Sequence, residues 1–143
     1  MYEKVYSEQT LKDLEDSYKF FQEHEWERGG WFFLTKEGKE ARTTREVHSC
    51  CMLGAVWACI LKDSYRLTPA LASPIERRRY GSVVDLLRKS AELLYLQDDS
   101  RFFTSFGRLD DFNDTYANNK EEIEKIYEKA IEILKQQQES TND

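Results

Sequence analysis

The chain has 143 residues, a formal net charge of −6, 40% apolar residues and 34% charged ones. Eight Phe, eight Tyr and three Trp are enough large side chains for a packed core, since each aromatic buries about 150–250 Å², so disorder is excluded as the default state. The acidic balance is a poor match for capturing nucleic acid by neutralising phosphates, and no apolar run approaches the roughly 20 residues needed to cross a bilayer.

One domain is expected over residues 1–143, with an ordered core at about 10–135 and a frayed polar tail at 136–143. Three cysteines, two of them adjacent at Cys50 and Cys51, fit no disulfide framework and suit a reducing compartment. Met1-Tyr2-Glu3-Lys4 lacks the basic flank and apolar centre of a secretory signal. A cytoplasmic protein is the expectation.

Leu11, Leu14, Tyr18 and Phe21 recur at spacings of three and four, which predicts a helix over about 10–25 with Thr10 as its N-cap and Gly29-Gly30 as its stop. Trp31-Phe32-Phe33-Leu34, a turn closed by Gly38 and a polar return predict a small β-hairpin near residues 31–42. The box Thr43-x-x-Glu46 is read as the start of a second helix over 47–61. That segment is apolar nearly all round and so belongs inside the domain, with the small Gly54 and Ala55 where another backbone packs close. Ser73-Pro74-Ile75-Glu76 is a capping box with proline at the first helical position. It opens a helical segment that reaches about residue 97, broken or bent at Gly81-Ser82, so that either one helix or two fits the pattern. Residues 98–119 read as a loop anchored by aromatics with carboxylates outward, with a short helix around Phe102 to Phe112 as the alternative. Asn118-x-x-Glu121 caps a last helix with the stripe Ile123, Ile126, Tyr127, Ala130, Ile133 and Leu134. The fold class is mainly α, a bundle of four to five helices with one small β element.

Cys51 is the first candidate for chemistry, because a thiol near a helix start can lose its proton and become a nucleophile, and His48 lies one helical turn before it. The two requirements conflict. A helix begun at Thr43 brings His48 beside Cys51 but puts the thiol two turns inside, whereas one begun at Ser49 displaces His48. Against catalysis stands a buried cysteine filling a small space. His48, Cys50, Cys51 and Cys59 have the atom types of a zinc site but not the spacing, and Asp110, Asp111, Asn113 and Asp114 lack the order of a calcium loop. No metal and no cofactor is expected. Asn113 and Asp114 serve a turn in the simplest reading. In the functional one they join Trp31, Trp57 and Phe112 around a small ligand. Arg77, Arg78 and Arg79 form a candidate anion clamp.

Cys51-Met52-Leu53-Gly54-Ala55 and Phe112-Asn113-Asp114, together with Trp26 and the aromatic run from Trp31, resemble a family of small prokaryotic and phage proteins classed as a domain of unknown function. Its marks are Cys-x-x-Gly-Ala followed by Trp/Phe-Asn-Asp, and the likeness runs from about Leu11 to Leu134. It implies a mostly helical domain, a host-cytosol location if phage-encoded, and no established activity. The preferred expectation is a non-enzymatic acidic interaction module that docks on a protein partner, such as a phage protein inhibiting a host system. It binds neither a membrane nor a specific nucleic-acid sequence. The alternative is a nucleotide-like ligand-binding protein or a Cys51-dependent hydrolase.

Overall fold

The first apolar stripe winds α1 over Glu8–Glu23, burying Thr10, Asp13, Leu14, Ser17 and Phe21 along one face. The structure, a computed structural model, describes residues 7–28, 32–62, 67–96, 109, 113–114 and 117–141. Ser7, rather than Thr10, is the N-cap: its hydroxyl accepts from the Thr10 amide at 3.2 Å, and Thr10 lies in the first turn. The helix also stops before the glycine pair, which lies outside the described residues. His24 is already extended, and Lys120 donates to the Gln22 and His24 carbonyls at 3.4 and 2.6 Å. A cation thus closes the negative end of the helix, as its dipole favours.

A strand absent from the sequence reading follows at once, β1 (Glu25–Trp26). It is followed by β2 (Phe33–Leu34) and β3 (Ser49–Cys50). The sheet has the order β1-β3-β2, with β3 parallel to β1 and antiparallel to β2. The expected hairpin is present in short form: Gly38 turns the chain, at φ 82°, and the return pairs antiparallel with β2 at Leu34–Glu40, the Thr35 amide donating to the Lys39 carbonyl at 2.7 Å and the Ala41 amide to the Phe33 carbonyl at 3.2 Å, while β3 is the further partner of β2.

The expected helix over 47–61 is likewise shorter. Thr43-x-x-Glu46 winds only a 3-10 turn, Thr44–Glu46, without capping it through a side chain. Residues 49–50 are strand, and α2 spans Met52–Ile60. Within α2 the enclosure holds, since every residue except Cys59 is buried. After a second 3-10 turn at Pro69–Leu71, α3 (Pro74–Ala91) starts with both halves of its capping box formed. It passes through Gly81-Ser82 without a break and continues as a π turn over Glu92–Leu96. The last helix, α4, spans Lys120–Thr141, reaching well into the stretch read as tail. Its opening amide, that of Glu122, is held by Asn119 at 3.0 Å, one residue later than expected.

Helix α2 lies against α1 and α3, and α4 packs across both of these. Leu14, Phe21, Phe33, Met52, Leu86, Leu87, Ile123, Ile126, Tyr127 and Leu134 are fully buried between them. Each such side chain contributes about 1.5–3 kcal/mol relative to exposure. The described residues thus make a mainly α domain of four α-helices with one small three-stranded sheet. No helix among them is long and apolar enough to cross a membrane.

Candidate functional site

Cys51 stands where β3 becomes α2, with extended backbone, and its own sulfur is the N-cap: Sγ accepts from the Gly54 amide at 3.2 Å. Sulfur is a weak acceptor, but a thiol behaves as a small apolar group where a hydroxyl would need further partners. The backbone just before β2 approaches α2 so closely that a Cβ on Gly54 would lie 1.9 Å from the Phe32 carbonyl oxygen. That oxygen accepts from the Cys51 amide at 3.1 Å. Glycine is therefore required at position 54 by a backbone contact.

The next free amide of the helix start, that of Met52, donates to Asn113 Oδ1 at 3.1 Å. The same oxygen accepts from the Trp26 indole at 2.9 Å. Asn113 Nδ2 donates to the Glu27 carbonyl at 3.0 Å and to Asp114 Oδ1 at 2.8 Å. An amide side chain offers two acceptor and two donor sites. All four are filled here, and Asn113 is 1% exposed. The Met52 carbonyl accepts from the buried Tyr127 hydroxyl at 2.7 Å. Arg28 closes the outside, donating to the Asp114 carbonyl at 3.1 Å with its guanidinium over the Trp26 ring. The two motif strings thus meet in a knot joining β1, the start of α2 and the segment before α4.

Burial pushes the Cys51 thiol up to about 12, against the partial opposing effect of the Gly54 amide. Burial likewise pushes Cys59 up to about 12 and drives Cys50 well above its ordinary value. At neutral pH all three are thiols, and the thiol is the unreactive form. His48 is exposed, its backbone committed to the sheet through Glu25 and Leu34. It borders a surface hollow of about 400 Å³ together with His24, Glu25 and Lys120, and Cys51 does not line that hollow. No hydrogen bond joins His48 to Cys51.

The remaining candidates are dispersed. Trp57 is buried and stacks on Tyr80 of α3 at 4.0 Å, five residues along α2 from the amide that Asn113 holds. Trp31, Phe112, Asp110 and Asp111 lie outside the described residues. Arg77 donates to the Ala72 and Ala70 carbonyls at 3.1 and 2.8 Å. Arg78 is exposed, and Arg79 forks onto both oxygens of Asp13 at 2.9 and 2.7 Å. Among the described residues, no group of three or more His, Cys, Asp or Glu could hold a metal. The Asp13–Arg79 pair escaped the sequence reading although a signal was present. Asp13 falls on the same stripe as Thr10, Leu14, Ser17 and Phe21, and a carboxylate on a buried face requires a partner.

No curated protein and no solved structure matches the chain. A family model described as Family of unknown function (DUF6197) matches residues 6–133, and the sequence strings that meet at Asn113 lie inside that span. The chain belongs to this family.

Proposed function

We propose that this protein is a non-enzymatic module that binds a protein partner. The observation that carries the reading is the saturation of Asn113. Its four hydrogen-bonding positions are occupied by Trp26, Met52, Glu27 and Asp114, so the most distinctive polar residue of the chain has no capacity left for a substrate. The thiol that would serve as nucleophile is spent on a helix cap and kept protonated by burial. What remains for function is surface. Part of that surface is apolar, with Leu71, Ile75, Leu93 and Phe32 exposed to solvent.

Thiol chemistry and ligand screening test this together. Iodoacetamide should leave Cys51 of the native protein unmodified under conditions that alkylate it at once in urea, because access and thiolate fraction both limit the reaction. Nucleotides should leave the melting temperature unchanged, since only a ligand of the folded state shifts it. Rapid native alkylation at Cys51, or a saturable stabilisation by a nucleotide, would overturn the proposal in favour of a catalytic or small-molecule role.

A further inference from the structure

At the corner where α1 ends, β1 and β3 pair in parallel, Glu25 opposite Ser49 and Trp26 opposite Cys50. One step back along both strands, His24 stands opposite His48. The backbone supports that extension of the register: His24 is extended, at φ −122° and ψ 161°, and the Glu25 amide donates to the His48 carbonyl at 3.0 Å. Paired strands lie about 5 Å apart and opposite residues point to one face, so the two imidazoles leave the backbone side by side. Both line the hollow of about 400 Å³ described above, together with Glu23, Glu25 and Lys120.

The His24 ring is already set as a ligand. Its Nδ1 lies 2.6 Å from the Phe20 carbonyl oxygen, which can only accept, so Nδ1 carries the proton and the neutral ring keeps its lone pair on Nε2. Phe20 also stacks on that ring, with 3.9 Å between centroids. A backbone carbonyl on one ring nitrogen is the usual support of a histidine that binds metal through the other. The His48 ring is exposed and, like the carboxylates of Glu23 and Glu25, has no hydrogen bond or ion pair among the described residues. Lys120 spends its ammonium on the Gln22 and His24 carbonyls and on the face of Phe21, 5.3 Å from the ring centroid. The two free carboxylates outnumber it, so the local field favours a cation. Among the described residues no third His, Cys, Asp or Glu completes a donor group, so the protein supplies two imidazoles and water fills the other positions. Imidazole selects copper, nickel and zinc over magnesium and calcium, which take oxygen ligands.

We infer that His24, through Nε2, and the His48 ring together bind one divalent transition-metal ion of the copper, nickel and zinc class. The inference goes beyond the binding-module reading and does not depend on it. Isothermal titration calorimetry of the chain, free of any histidine tag, should show saturable binding of one Ni²⁺ or Zn²⁺ per chain and none of Mg²⁺. Saturating Ni²⁺ should raise the melting temperature, because the register that joins the two rings exists only in the folded state. His48→Ala removes an exposed ring and should leave the metal-free melt unchanged while weakening Ni²⁺ binding at least about tenfold. His24→Ala should weaken it as much; this variant also loses the bond to the Phe20 carbonyl, so His48→Ala is decisive if the metal-free melt of His24→Ala falls. With Cu²⁺ as the probe, electron paramagnetic resonance should show two coordinated imidazole nitrogens in the wild type and one in either variant. Absence of saturable binding, equal affinity in the wild type and His48→Ala, or a single imidazole nitrogen in the wild type would overturn the assignment. So would one ion per two chains with dimers that form only when metal is added, which would give the ligands to separate copies.

Discussion

Replacing Asn113 by alanine should be among the most damaging single changes in the chain. The substitution strands the Met52 amide, the Glu27 carbonyl and the Trp26 indole N–H at once. A stranded buried polar group costs about 1–3 kcal/mol. Trp26 is only partly buried, so water recovers part of its share, and the sum comes to about 3–5 kcal/mol. Against a total stability of about 5–15 kcal/mol, that corresponds to a fall in Tm of about 10–15 °C. Urea and thermal unfolding by circular dichroism would measure it. Asn113→Asp sharpens the test, because it keeps the volume and both acceptor bonds but turns the donor side into an oxygen facing the Glu27 carbonyl and the Asp114 carboxylate. It should be destabilised at least as much as the alanine variant. A loss under about 1 kcal/mol for Asn113→Ala, or an aspartate variant as stable as the wild type, would refute the claim that this amide holds the fold together.

Three further outcomes follow from the same geometry. Gly54→Ala forces the Phe32 backbone and α2 apart by more than an ångström and should cost about 3 kcal/mol or more, whereas Gly81→Ala, which has nothing within 4 Å of the added carbon, should stabilise α3 by up to about 1 kcal/mol; paired urea titrations compare them. Arg79→Met leaves the carboxylate of Asp13, 3% exposed, with Gln9 as its remaining side-chain partner and should cost about 3–5 kcal/mol, much of which the double variant Asp13→Asn, Arg79→Met should restore. Finally, Cys51 and Cys59 are raised from 9.0 to about 12, so the unfolded chain loses these protons first as pH rises. Stability should be complete below about pH 9 and decline toward pH 12, by at most about 1.4 kcal/mol per pH unit for each thiol. Urea titrations from pH 8 to 11 should show a shallower decline when both cysteines are alanine.

Helices were the legible part of the fold. The stripes of α1, α3 and α4 and the Ser73 capping box are local patterns, and periodicity finds them because each is stabilised by residues three or four positions apart. The sheet was not legible. Strands of two residues carry no alternation to detect, and β1 is held by the His48 and Cys50 carbonyls, which accept from the amides of Glu25 and of Glu27 just past its end. The start of α2 was missed for a related reason. Thr43 and Ser49 are ordinary cap residues, while Cys51 works as a cap only because Gly54 and Asn113 complete its surroundings. At the candidate site, residue identity pointed to Cys51, Gly54, Asn113 and Asp114, and the small size of Gly54 within an apolar helix marked the place where the Phe32 backbone packs close. Three of the four bonds of Asn113 span separations of 61 to 87 residues, which no window along the chain can encompass.

Those separations bear on the order in which the molecule assembles. As the chain emerges during synthesis, β1, β2, β3 and α2 can all be present well before position 113. Until the asparagine arrives, the first amide of the most apolar helix lacks its acceptor and the Trp26 indole lacks its own. Closing such long loops is slow compared with winding local helices, so the amide clasp is a late event in assembly. Nascent chains cut short of residue 113 should therefore be substrates for chaperones and proteases, and the completed chain should become protease-resistant in a single step when the clasp closes.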